Sequence, residues 1–465
     1  MVEQARASRR AGRDHDRSLL LRGAAVVVAA GLALAGCGTV MPGAVVGDRV
    51  AGGTVSASAE GVGAGVTDDA VKVVFVGTDL EGVKKVTGFK TADAGDPEAQ
   101  VAALEEWVNA NGGIGGRTLD AVFKMYDATE DSPAAEEQFC NQITQDDRAF
   151  AVVLTGQLQS NARPCYAKRQ TLILDATLVA TDKQAYQEMA PYLWSPAYPE
   201  YDGTVRALID TLDEKGFFEG RDRVGLVADD TPINRRVVEG LATSMLKELG
   251  VTPEVGWVDT TDLGSLFQGN EQAAVTFRSE GLDRVMFLGG ARLASIFATV
   301  ARTQEFDATY AISSFDSPGF FVNNPDTVPP EVLQGMVGIS FNPSGDVSDA
   351  QLPFPRQGPE QECMDIYADA GITFDSRESA RVALPYCDAA RILQAGAADL
   401  TDNLNASAWG AAVQGLGDSF VPATGFAGGV ATDSYSASGA YRVMAFDDTC
   451  GCFQYEGEDV ALPRP

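Results

Sequence analysis

The strongest constraint on this chain is a strand, a helix and a glycine-bracketed turn in direct succession. Residues 71–76, Val-Lys-Val-Val-Phe-Val, form a short, nearly continuous apolar run. β-Branched and aromatic side chains fit a pleated surface, and a run without strict alternation suits a strand covered on both faces, as in a parallel sheet. Residues 97–110 then carry Val101, Leu104 and Val108 at three- and four-residue spacing, with Pro97 in the first turn, which predicts a helix with one apolar stripe. Asn111-Gly112-Gly113 ends it, because glycine enters the left-handed region without a Cβ penalty. Residues 119–126 alternate as a second strand. The three elements read as the first βαβ unit of a layered α/β domain.

Upstream, Arg6, Arg9, Arg10, Arg13, Arg17 and Arg22 form a basic leader, followed by small and apolar residues over 23–35. That run is too short to span a bilayer, so residues 1–37 are expected to be an export signal. Hydrophobic residues do not directly follow Arg9-Arg10, which favours ordinary secretion over the twin-arginine route. Leu34-Ala35-Gly36-Cys37 resembles the bacterial lipobox. The resemblance implies diacylation of Cys37 and anchoring to the cell membrane, outside the cytoplasm, through that lipid. Residues 38–67, rich in Gly, Ala, Val and Ser, read as a flexible tether with a reach of roughly 30 Å. Gly61-Val62-Gly63-Ala64-Gly65 precedes the first strand instead of following it, which argues against a phosphate-binding loop.

About 400 residues remain, which suits two lobes better than one core. The net charge of −30 repels phosphate backbones and anionic lipid heads. No nucleic-acid partner is therefore expected, membrane contact is expected through the lipid alone, and the acidity reads as solubility. The single histidine, His15, lies in the leader, which removes Ser-His-Asp and Cys-His catalysis and histidine-ligated metals. No catalytic residue, metal or cofactor is expected. Beyond Cys37, six cysteines remain for an oxidising compartment: Cys140, Cys165, Cys363, Cys387, Cys450 and Cys452. Sequence alone allows about fifteen pairings. Chain order suggests Cys140 with Cys165, Cys363 with Cys387 and a tight Cys450–Cys452 loop, the last of which could instead be a reactive redox pair.

The order strand, helix, Asn111-Gly112-Gly113-Ile114-Gly115-Gly116-Arg117, strand, Tyr126-Asp127 resembles the type I periplasmic-binding proteins of the branched-chain amino acid family, receptors of ABC importers. The resemblance runs from about Val71 to the C-terminus. It implies two doubly wound parallel-sheet lobes joined by a multi-strand hinge. The first lobe is expected over 68–195 and, after a return crossing, 342–446; the second over 196–341; a closing segment over 447–465. In the first lobe, helices are expected at 134–145 and 162–169 and strands at 150–154, 171–174 and 192–198. In the second, helices at 201–215, 234–249, 269–280 and 291–303 alternate with strands at 223–228, 255–258, 284–288, 309–312 and 335–341, and alternation with short loops argues for a parallel sheet. The Pro-rich segment 343–359 reads as the crossing back, with helices at 361–370, 380–399 and 406–416 and closing strands at 441–446 and 452–455.

Ligands bind at the carboxyl ends of the strands in open α/β sheets. Gly156-Gln157-Leu158-Gln159-Ser160-Asn161 is similar to the family's loop whose hydroxyl and amides hold a ligand carboxylate, with Ser160 at the matching position and Gln157 beside it. Ala176-Thr177 matches the family's Ala-Thr after the next strand. For either hydroxyl the alternative is a helix cap. Asp316 is the nearest match to the acid that pairs with an amino-acid ammonium, although Asp316-Ser317-Pro318-Gly319 also has turn composition. Asp230 sits at a second-lobe strand end, as does Arg292, which reads as covering a helix end. Thr78 and Asp79 depart from the family's Gly-Pro opening. Where the family places a tyrosine and a glycine over the ligand, this chain has Ile233 and Asn234, so the aromatic lid is missing or displaced to Phe315 or Phe320.

The resulting expectation is a monomeric extracytoplasmic receptor. It takes a small polar solute, an amino acid or an amide, in the interlobe cleft and delivers it to an ABC permease. The alternatives are a ligand sensor of the same fold reporting to a signalling partner, or an extracellular enzyme using carboxylate or thiol chemistry.

Overall fold

The computed structural model describes residues 61–79, 82, 84, 90, 92–157, 159–290 and 293–464. The leader, Cys37, His15, most of the tether and Arg292 lie outside these residues.

Twelve strands form two sheets among the described residues. In the first, β1 (Ala70–Thr78), β2 (Thr118–Tyr126), β3 (Ala151–Leu154), β4 (Leu172–Asp175) and β5 (Leu193–Trp194) run parallel in the order β2-β1-β3-β4-β5. The second contains β6 (Arg223–Asp229), β7 (Thr252–Val258), β8 (Arg284–Leu288), β9 (Thr309–Ser313), β10 (Val337–Ser340), β11 (Ala440–Asp447) and β12 (Cys452–Ala461). Its order is β12-β11-β10-β9-β8-β6-β7, parallel except where β11 and β12 join antiparallel. Each sheet therefore reverses its winding once, between β1 and β3 and between β6 and β8. Those are the points where an α/β sheet opens a crevice for a ligand.

The opening unit shows how the local sequence produces these layers. Asp96 caps helix Pro97–Ala110 by accepting from the amides of Glu98 and Ala99, and Val101, Leu104 and Val108 are buried against the sheet. Gly113 has φ +70°, and a Cβ there would stand 1.9 Å from the Arg117 carbonyl oxygen, so no side chain fits. Arg117 then donates to the carbonyls of Thr67 and Thr401, tying the start of the lobe to its return segment. That return segment completes the first core: Cys363, Tyr386, Leu393 and Trp409 pack with Val74, Phe75 and Trp194. Disulfides Cys140–Cys165 and Cys363–Cys387 each join two helices of this lobe, and Cys450–Cys452 closes the β11–β12 turn.

Several boundaries differ from expectation. Residues 440–446, expected in the return part of the first lobe, belong to β11, which pairs with β10 and extends the second sheet, so that the hairpin covers a strand edge that would otherwise present unpaired backbone groups. Helix Leu263–Ser279 starts six residues before its apolar stripe suggests, since Asp262 caps it through the amide of Ser265. The 192–198 strand shrinks to Leu193–Trp194. Beyond it Ser195 bridges Ser436, so two of the crossings between lobes lie side by side.

Candidate functional site

At the first sheet's switch point, Thr78 donates to the carbonyl of Thr155 at 2.8 Å and Gly156 turns with φ +78°. A Cβ on Gly156 would lie 2.8 Å from Thr78 Oγ1, so the loop can approach β1 only with glycine there. Gln157 follows, fully buried, and neither its Oε1 nor its Nε2 has a hydrogen-bond partner. Such an amide costs about 1–3 kcal/mol relative to one that is satisfied. Ser160 is half-buried and its hydroxyl forms no hydrogen bond with the described residues. The helix that follows, Ala162–Lys168, has Asn161 at its N-cap with no side-chain cap bond, so Ser160 is not spent on capping.

The β4 end is organised differently. Arg163, buried on helix Ala162–Lys168, pairs with Asp175 at 2.7 Å and donates to the Thr177 hydroxyl at 2.6 Å. Thr177 in turn donates to Asp175 at 2.7 Å, and its oxygen also lies 3.3 Å from the amide of Val179. The hydroxyl is therefore occupied within the protein, as is the Ala176 amide, which donates to Leu154. Glu136 lies beside Arg163, with both oxygens buried and unpartnered, and burial pushes its carboxyl up to about 7.

The second lobe presents a parallel arrangement at its own switch point. Asn234, on helix Pro232–Arg236, is 1% exposed; its Nδ2 donates to Thr231 and its Oδ1 has no partner. Gly289 packs so closely that a Cβ would meet Asn234 Nδ2 at 2.7 Å. Residue 290 bridges Val179, which brings the β4 loop of the first lobe against the β8 end of the second. Across the same boundary, Arg236 binds Asp182 through two 2.9 Å contacts.

Two expected second-lobe residues sit elsewhere. Asp316 is 2% exposed and folds back on its own turn, accepting from the amide and hydroxyl of Ser313 at 2.7 and 3.2 Å. Burial pushes its carboxyl up to about 8. Asp230 pairs at the surface with Arg235, which stacks over Trp257. Phe315 packs in the core against Tyr201 and Phe341, whereas Phe320 lines a cavity. Arg163 and Glu136 carry no sequence signal of a site, since their pattern is that of ordinary helix residues. Asn234 enters the sequence only as a departure from the family's glycine, and its packing against Gly289 is a tertiary contact that the sequence does not show.

Residues 83–357 match the family described as Periplasmic binding protein. That span exceeds half of the 465 residues, and the chain belongs to this family. Among solved structures it is similar to a possible leucine/isoleucine/valine-binding protein from Rhodopirellula baltica, at 16% identity and TM-score 0.58 over 84% of this chain and 97% of that one. A branched chain amino acid ABC transporter from Thermus thermophilus with bound valine matches at 14% and 0.58, over 85% and 97%. A fatty acid ABC transporter substrate-binding protein from Thermomonospora curvata matches at 16% and 0.58, over 86% and 95%. At these identities the likeness establishes the type I two-lobe fold. No curated protein sequence matches the chain. Family membership implies a location outside the cytoplasm, and no helix of the described residues is long and apolar enough to cross a membrane.

Proposed function

We propose that this protein is the solute-binding receptor of an ABC importer, held at the cell membrane by a lipid on Cys37, and that it delivers a small polar solute to a permease without covalent chemistry. The observation that carries the reading is Gln157, an amide with both polar atoms buried and unpaired at the switch point of the first sheet. With the Ser160 hydroxyl and the Asn234 carbonyl oxygen, it makes a set of both donors and acceptors. That set matches a solute carrying both, an amino acid or an amide, better than a hydrocarbon chain. The bound solutes of the structural neighbours range from amino acids to 4-hydroxybenzoate, so the choice within this fold rests on such side chains.

The test is a thermal-shift screen of the purified protein against amino acids, amides, short peptides, sugars and fatty acids. A ligand at about 100 times its Kd adds about 2.7 kcal/mol and raises the midpoint visibly. The expected result is a selective amino-acid or amide hit that is lost in Ser160→Ala. A fatty-acid hit, or none, overturns the solute class.

A further inference from the structure

Of the disulfides that join described residues, two are sealed and one is open. Cys140, Cys363 and Cys387 are fully buried and Cys165 is 6% exposed, so those bonds are shielded in the folded protein. Cys450 is exposed and Cys452 half-buried, on the turn between β11 and β12. Their bond is not what holds this turn. The strand ladder runs up to the Asp447–Cys452 pair, Phe446 packs edge-on against Phe453, and the Gly451 amide donates to the Asp447 carbonyl at 2.9 Å. The two cysteines are 2 residues apart, against 25 and 24 for the other pairs, so closing their loop removes the least entropy from the unfolded chain. Exposed disulfides are the ones that exchange, whereas buried structural ones resist reduction.

Side-chain amides are aimed at both sulfurs. Gln351 Nε2, from the return segment, lies 3.4 Å from Cys452 Sγ, and Gln454 Nε2 lies 3.3 Å from Cys450 Sγ. Such donors favour a thiolate over a disulfide sulfur, because the thiolate carries the charge. Beside the turn lies a shallow groove of about 380 Å³ whose lining includes Asp447, Asp448 and Glu456 and no basic residue. Asp447 accepts from the Thr449 amide and from Gln454, and Glu456 is paired with Lys215, while Asp448 is exposed. The groove is therefore acidic where it meets the accessible cysteine.

We infer that Cys450–Cys452 is a thiol–disulfide exchange site that oxidises thiols carried on basic peptides. The incoming thiolate attacks the exposed Cys450 Sγ. A new S–S bond forms, the Cys450–Cys452 bond breaks, and its electron pair leaves on Cys452 Sγ beside the Gln351 amide. A second thiolate then attacks the peptide sulfur of the mixed disulfide, and the electron pair leaves on Cys450 Sγ beside Gln454. The peptide thiols give up two electrons and two protons and become one disulfide; Cys450 and Cys452 take up the electrons and, once protonated, stand as thiols. The acidic groove selects the carrier, attracting a cationic peptide and repelling an anionic one. The inference goes beyond the receptor reading and does not rest on it.

The test is quenched-alkylation mass spectrometry of the oxidised full chain, exposed without denaturant to the synthetic peptides Lys-Cys-Lys and Glu-Cys-Glu. Each rate is divided by the same peptide's rate with the disulfide of 2-mercaptoethanol, which removes differences in thiol acidity. The first mixed disulfide is expected on Cys450, followed by the reduced pair, with Cys140–Cys165 and Cys363–Cys387 intact. At low ionic strength the normalised rate is expected to be at least about tenfold higher for Lys-Cys-Lys, and the difference to shrink in high salt. Asp448→Lys, at an exposed position, is expected to narrow that ratio. Cys450→Ser/Cys452→Ser must form no mixed disulfide, and the position of the mixed disulfide in the unmodified sequence decides the matter even if that variant does not fold. Reduction of all the disulfides at one rate, a first mixed disulfide on Cys452, or equal normalised rates for the two peptides overturns the inference.

Discussion

Arg163 and Asp175 form a buried pair, Nε to Oδ2 at 2.7 Å and Nη2 to Oδ1 at 3.3 Å, that fixes the β4 loop from below. The same guanidinium donates to the Gln159 carbonyl at 2.5 Å and to the Thr177 hydroxyl at 2.6 Å, so one side chain holds the loops after both β3 and β4. Replacing one partner leaves a buried charge uncompensated, which typically costs about 3–5 kcal/mol. Asp175→Asn is expected to fall in that range by urea denaturation. The double variant Arg163→Met/Asp175→Leu is expected to recover most of the stability but not solute binding, because the loops lose their shared anchor. Recovery of both would show that the pair does not position the site.

Gln157 gives a prediction with two opposed readouts. Its amide is buried without partners, so Gln157→Leu removes an unsatisfied polar group of similar size. The ligand-free variant is expected to gain about 1–2 kcal/mol in denaturant unfolding and to lose solute stabilisation in the thermal screen. A loss of stability in the free protein would instead show that Gln157 is a structural group satisfied by bound water.

The sequence made the layers legible because their signals are local. The apolar run at 71–76, the stripe of Val101, Leu104 and Val108, and the Asn-Gly-Gly turn each encode their own geometry, and Gly113 admits no other residue at its position. The site was less legible. Ser160 and Gln157 could be placed at the β3 edge by resemblance, but the engagement of Thr177 by Arg163 depends on a side chain one helical turn from Gln159, and no spacing rule distinguishes it from a surface arginine. Asp316 is hard to read for a similar reason: its Ser-Ser-Phe-Asp context is equally that of a self-capping turn, and the packing of Phe315 against Tyr201 and Phe341 sets the turn inward.

The raised carboxyls of the buried acids predict a stability that falls as pH rises. Burial raises the Asp316 carboxyl to about 8, Asp346 and Glu136 to about 7, and Asp388 to about 6. In the unfolded chain these groups ionise in the ordinary carboxylate range, so above that range the folded state binds more protons than the unfolded one. Their contribution to stability is complete below the unfolded values and declines as pH rises through the folded ones. The midpoint of thermal unfolding is expected to fall between about pH 5 and pH 8. Asp316→Asn, whose amide oxygen can still accept from Ser313, is expected to flatten that slope. An unchanged slope in the variant would mean that Asp316 is ionised in the folded protein.

The pairing of Asp182 with Arg236 bears on closure of the lobes. Asp182 belongs to the first lobe, where it also caps helix Lys183–Met189 through the amide of Ala185, and its side chain is 4% exposed. Arg236 comes from the second lobe and reaches it with two 2.9 Å bonds. In a conformation with the lobes apart, Asp182 would keep its cap and gain water, whereas Arg236 would simply be hydrated. The pair therefore favours the closed form without being needed to fold either lobe. Arg236→Gln is expected to leave denaturant stability within about 1 kcal/mol, to increase the radius of gyration of the ligand-free protein in solution scattering, and to weaken solute binding. If the variant populates the closed form a tenth as often, the apparent Kd rises about tenfold while the affinity of the closed form stays the same. A variant that binds more weakly with no change in scattering would place Arg236 in the solute site itself.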